Sequence, residues 1–280
     1  MNMKDKPKLG RGLDDVSQHF LSRIPPRATL ALATPAWRSI AVCHPGSLTL
    51  QSCLLTNLAL ELAKNRHQVR VQDFTPPGEA RIKTLMGAII PEEDSPGRTI
   101  IHLYGLPEIE IIESNLSEAW LENQLADRDE NLPTGVLGRY FLVNAPGPSL
   151  EFFVKSRACN EYLLVTKTDE NSLLQAYAFC KVIRMKGAPR IHLVLDDAPP
   201  GEQADHIFRQ FAGFVGHRLG CTLYLLGNLV HDERIQRSIN EHMPLVLSQR
   251  GTEAGIRFSE ICERLFEAVN QAAVHTAKEA

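Results

Sequence analysis

At 280 residues, with 44% apolar and 22% charged side chains, the chain can bury the core of one large α/β domain and has a soluble globular composition. Its net charge of −3 gives no global basic field to draw in nucleic acid, and none is predicted as a partner. No apolar run reaches the roughly 20 residues that span a bilayer and the N-terminus is polar rather than signal-like, so no membrane insertion is expected and the cytoplasm is the predicted location.

Residues 1–37 stand apart from the rest. They open with lysines, contain Gly10 and Gly12, and are broken by Pro25, Pro26 and Pro35, the punctuation of a flexible tail. Within the tail Leu13, Val16, Phe20 and Leu21 share one face at helical spacing, which suits a short amphipathic helix that needs something to dock on.

From Arg38 onward strand-like and helix-like segments alternate. Strand patterns occur at SIAVC, QVRVQDF, TIIHLY, RYFLVNA, EYLLVT, RIHLVLD and TLYLLG. Helical patterns occur at SCLLTNLALELAKN, SEAWLENQLA, SLLQAYAFCKVIRMKG and ADHIFRQFAGFVGHRL, with a last helix over residues 255–273. This order predicts a single α/β domain over residues 38–280, a mostly parallel, doubly wound sheet with helices on both faces. The six cysteines (Cys43, Cys53, Cys159, Cys180, Cys221, Cys262) form no C-x-x-C pair, and most sit in apolar stretches, so they read as buried free thiols.

In such a sheet ligands bind beyond the C-terminal ends of the strands. SIAVC runs through HPGSLTLQS straight into a helix, which is the layout of a phosphate-binding loop. A working loop uses glycines that let backbone N–H groups face phosphate oxygens, a lysine on the β- and γ-phosphates, and a Ser or Thr hydroxyl on magnesium.

Here the sequence resembles the MinD/ParA family of deviant Walker-A ATPases, closest to its MinD and FlhG branch. The resemblance implies a P-loop NTPase-like fold and runs from about Arg38 to Phe266. With TNLA and its Asn57 as anchor, Gly46 stands where the family has its signature lysine and Gln51 where it has the phosphate-binding lysine. Ser52 keeps the magnesium-ligand hydroxyl, while Pro45, Ser47, Leu48 and Leu50 take the places of family glycines. Asp73 matches the first aspartate of the second strand and Thr75 replaces the second, hydrolysis-linked one. Asn144 replaces the Walker-B aspartate ahead of the Pro146–Gly147 turn, and Asp196 stands at the adenine-contacting asparagine.

The resemblance thus implies a degenerate Walker A site at Gly46, Ser47, Gln51, Ser52, Asp73, Asn144, Gly147 and Asp196, with no catalytic residue and no cofactor. His44 is the one histidine placed to contact an anion. No histidine spacing suits a metal, and no Ser sits in a nucleophile elbow. The C-terminal segment turns small and mildly charged after Phe266, which fits a helix packed on the sheet better than an interfacial one.

The tail segment KPKLGRGLDDV is similar to the N-terminal GLGRGL peptide of ParB partition proteins, which contacts the ParA ATPase. That similarity implies partner contacts by Lys8, Leu9, Gly10, Arg11, Gly12, Leu13 and Val16; a plain flexible tail is the other reading of the same residues.

Three functions stay open on the sequence. The first is a pseudo-ATPase scaffold or regulator in bacterial spatial organisation, partnered by a ParA/MinD-type ATPase, by a secretion or motility component, or by a second copy. The second is a divergent, active ATPase binding ATP and magnesium. The third is an adaptor in polysaccharide export; the kinase version of that role fails, because none of the five tyrosines lies in the C-terminal tail.

Overall fold

The computed structural model describes residues 37–76, 79, 81–87, 98–102, 107–113, 138–147, 150, 154, 159, 161–185, 187, 190–199, 201–248 and 251–279. The tail, its ParB-like segment and the SEAWLENQLA helix lie outside the described residues.

Eight strands form one sheet in the order β3-β4-β2-β5-β1-β6-β7-β8. They are β1 (Arg38–Cys43), β2 (His67–Asp73), β3 (Arg98–Ile101), β4 (Ile109–Glu113), β5 (Gly138–Asn144), β6 (Glu161–Lys167), β7 (Arg190–Asp196) and β8 (Leu223–Asn228). Every pairing is parallel except β3 with β4. The predicted doubly wound, mostly parallel sheet is therefore the observed one.

The helices are α1 (Leu48–Lys64), α2 (Ile82–Leu85), α3 (Glu170–Arg184), α4 (Glu202–Leu219), α5 (Glu233–Asn240), α6 (Leu245–Ser248) and α7 (Glu253–Glu279). Alternation along each strand feeds two cores, because successive side chains point to opposite faces. Ile40 and Val42 of β1 join α1 and α7 on one face. Ala41 and Cys43 join α3 and α4 on the other.

Helix α1 is almost wholly buried, which explains why apolar residues occur on all its faces. Asn57, the alignment anchor, is fully buried within it. Its Oδ1 accepts from Val246 N at 3.0 Å and its Nδ2 donates to Cys53 O at 2.7 Å, tying α1 to α6. Helix α7 packs through Phe258, Ile261, Leu265 and Val269, so as far as Val269 the C-terminal segment covers the sheet, as the sequence suggested.

Four elements differ from the sequence expectation. β4 was not expected, because IEIIE is short and half acidic. Its Glu110 accepts from Arg70 Nε at 2.5 Å and Arg98 Nε at 2.7 Å, so flanking strands neutralise it. Helices α2, α5 and α6 are too short to show a period. All six cysteines are free and buried, and burial raises the thiol of Cys53 to about 12.

Phe258 is fully buried between α7 and the sheet. Phe258→Ala should lower stability by about 3–5 kcal/mol, read from the urea midpoint at an unchanged m-value.

Candidate functional site at the β1–α1 loop

The site begins where β1 ends. Cys43 is the last strand residue and α1 starts at Leu48, leaving four residues for the turn. Ser47 caps the helix in an extended conformation, and its hydroxyl accepts from Leu50 N at 3.1 Å.

The loop amides are aimed inward, as a phosphate loop requires, but side chains of the same loop meet them. Nδ1 of His44 accepts from Gly46 N at 3.0 Å and from Ser47 N at 2.9 Å. Two donors at Nδ1 fix the ring with its proton on Nε2. That nitrogen is buried and faces Asp196, whose Oδ2 is 3.9 Å away. The amide of His44 donates to Oε1 of Gln51 at 2.7 Å.

Gln51 extends the chain of bonds into the sheet. Its Nε2 donates to Asn144 Oδ1 at 2.6 Å, and both side chains are buried. Asn144, at the end of β5, is register-paired with Val42 of β1 and with Asp73 of β2. Its Nδ2 reaches Ser52 Oγ at 2.9 Å, Asp73 Oδ1 at 2.9 Å and Thr75 Oγ1 at 2.7 Å. Asp73 Oδ1 also accepts from the amide and hydroxyl of Thr75, at 3.0 and 2.6 Å, while Oδ2 accepts from Ile82 N at 2.8 Å and so holds the start of α2.

The fold thus brings together Gly46, Ser47, Gln51, Ser52, Asp73, Asn144 and, through His44, Asp196. Gly147 is apart from this network: a Cβ there would sit 3.2 Å from the ring of Phe179. The part played by His44 was only half legible. The sequence marks it as the histidine placed to contact an anion; in the fold its Nδ1 accepts from two loop amides. Among the described residues no group of three or more His, Cys, Asp or Glu could hold a metal ion.

Next to the network, a cavity of about 790 Å³ opens beyond the ends of β6 and β7. Asp169, Asp197 and Glu253 line it. Asp169 is held below the usual carboxylate range, mainly by the hydroxyl of Ser172. Asp197 sits at φ 51, between Lys167 Nζ at 3.7 Å and His231 Nδ1 at 3.6 Å.

Solved structures share this architecture. MinD of Aquifex aeolicus superposes with a TM-score of 0.61 at 13% identity, over 82% of this chain and 97% of that one. A ParA family ATPase of Chlorobium tepidum superposes with 0.56 at 15% identity, over 83% of this chain and all of that one. The chain has the MinD/ParA fold. In sequence, 165 residues (57% of this MinD/ParA-like chain) are 28% identical to the chloroplastic septum site-determining protein minD homolog of Arabidopsis thaliana. That match spans 47% of the relative, about half its length. No family model matches. The resemblance drawn from the HPGSLTLQS loop and the TNLA helix therefore stands in both sequence and fold.

Asn144 is the residue through which the network can be tested. Asn144→Asp puts a second carboxyl beside Asp73 and removes the side-chain N–H bonds that Ser52, Asp73 and Thr75 receive from Asn144. The variant should be about 3–5 kcal/mol less stable near neutral pH. One of the paired carboxyls then has a raised folded-state pKa, so the loss grows as pH rises through that value and shrinks below it. Denaturant midpoints of both proteins across the acid range check the sign.

Proposed function

We propose that this chain is a MinD/ParA-like pseudo-ATPase, a scaffold or regulator in bacterial spatial organisation that binds protein partners without hydrolysing ATP. The observation that carries the proposal is that the phosphate loop is filled by its own side chains. Gly46 N and Ser47 N are bonded to His44 Nδ1, and His44 N is bonded to Gln51. Asn144 offers a neutral amide where the family has a carboxylate.

A magnesium triphosphate does not fit these residues as arranged. It would have to displace the His44 ring from two amides, and residues 44–52 contain no lysine or arginine to compensate. Each charge-assisted bond so lost is worth ~1.5–3 kcal/mol. Asn144 leaves Ser52 and Asp73 bonded to an amide nitrogen, where a water-mediated magnesium site would need oxygen ligands. No residue of the cluster is assigned a catalytic role.

The curated relative is named as a septum site-determining protein, which supports a role in placing cellular machinery. Division, flagellar, chromosomal and polysaccharide-export machinery all fall within the proposal. Residues 38–280 act as one domain, and the tail acts through Lys8, Leu9, Arg11, Leu13 and Val16 on a partner ATPase.

Thermal unfolding of the full chain with and without Mg-ATP and Mg-ADP tests the proposal. A ligand at about 100 times its dissociation constant adds ~2.7 kcal/mol, a rise of several degrees for a domain of this size. No rise is expected with either nucleotide. A clear rise would favour the divergent, nucleotide-binding ATPase.

A further inference from the structure

The face of the molecule built by α3 and α4 carries an apolar groove that neither helix fills. Leu174, Tyr177, Ile207 and Phe214 line a cavity of about 390 Å³. Phe214 is 47% exposed and Leu174 39%, and the Tyr177 ring contacts that of Phe214 at 5.2 Å between centroids. Together they form a contiguous apolar surface, the kind of feature that interaction sites present.

Gly213 adds an independent sign. It lies inside the 18-residue helix α4, is exposed, and an added Cβ would meet nothing within 4 Å. Only proline is a worse helix former, and nothing among the described residues calls for a glycine there. Absence of a side chain beside Phe214 does let another backbone approach closely.

The charge pattern says what approaches. β6, β7 and β8 are parallel, and α3 and α4 are the crossovers between them, so the two helices run in the same direction. Both first turns are acidic (Glu170; Glu202 and Asp205), and both last turns are basic (Lys181 and Arg184; His217 and Arg218). The ordinary helix-dipole preference therefore adds up to one acidic end and one basic end. Tyr177 lies mid-way along α3, and Phe214 lies within the C-terminal half of α4, where the Arg218 guanidinium is 5.9 Å from its ring centroid.

We propose that this face binds a second copy of the chain about a two-fold axis through the groove. The two copies' helices then run antiparallel, and each acidic end meets the partner's basic end. A two-fold contact is isologous, so one self-complementary patch supplies both halves. The apolar groove supplies attraction, and the charges fix direction, because a parallel arrangement would set acid on acid. The proposal does not depend on the state of the phosphate loop and is tested without nucleotide.

Sedimentation equilibrium of the full chain at low salt is the test. The wild type should be a dimer. Gly213→Leu, which adds bulk only in open space, should weaken it by about tenfold or more while leaving the thermal midpoint unchanged or raised. Lys181→Glu should weaken it too, and adding Glu170→Lys in the same chain should restore it. A monomer at every soluble concentration overturns the proposal. So does a dimer that Gly213→Leu leaves intact, or one that the double reversal fails to restore.

Discussion

The side chain of Asn144 joins three elements that would otherwise meet only through the backbone ladder. Through one amide it bonds Gln51 and Ser52 of α1, Asp73 at the end of β2, and Thr75 just beyond it. All five groups are buried, so each needs a partner to offset its desolvation. Asn144 offers an acceptor to Gln51 and two N–H bonds shared among Ser52, Asp73 and Thr75, donors that a carboxylate lacks. Once Gln51 is drawn to Asn144, its remaining oxygen takes the amide of His44. The imidazole of His44 then lies over the loop and takes two more amides. The shape of the loop follows from one neutral residue at the end of β5.

That chain of bonds separates fold from chemistry. The parallel sheet, the β1–α1 turn and the cap at Ser47 are retained because they are fixed by core packing and by backbone geometry, neither of which involves a ligand. Asn57 illustrates the point: it is bonded to Cys53 O and Val246 N inside the protein and has no need of nucleotide. The fold can therefore stay intact while its loop amides find partners within the chain.

Most of the sheet could be read from the sequence, because each of seven strands presents an apolar run bounded by turn residues. β4 could not, since Glu110 looks like a surface residue until Arg70 and Arg98 are placed on either side of it. The members of the loop cluster were legible by their order along the chain. Their bonding was not, because the rotamer of His44 depends on Gln51 and on Asp196, 7 and 152 positions away in the numbering. The groove between α3 and α4 was illegible for another reason: Phe214 has a helical spacing that fits a core position, and only the packed helices leave it exposed.

The measurement that bears most directly on the account is amide hydrogen exchange at the loop, resolved for His44, Gly46 and Ser47, without nucleotide and with excess Mg-ATP. The account predicts that these three amides are already protected in the free protein and that Mg-ATP leaves their rates unchanged. Rapid exchange in the free protein, with protection only once nucleotide is added, would contradict it.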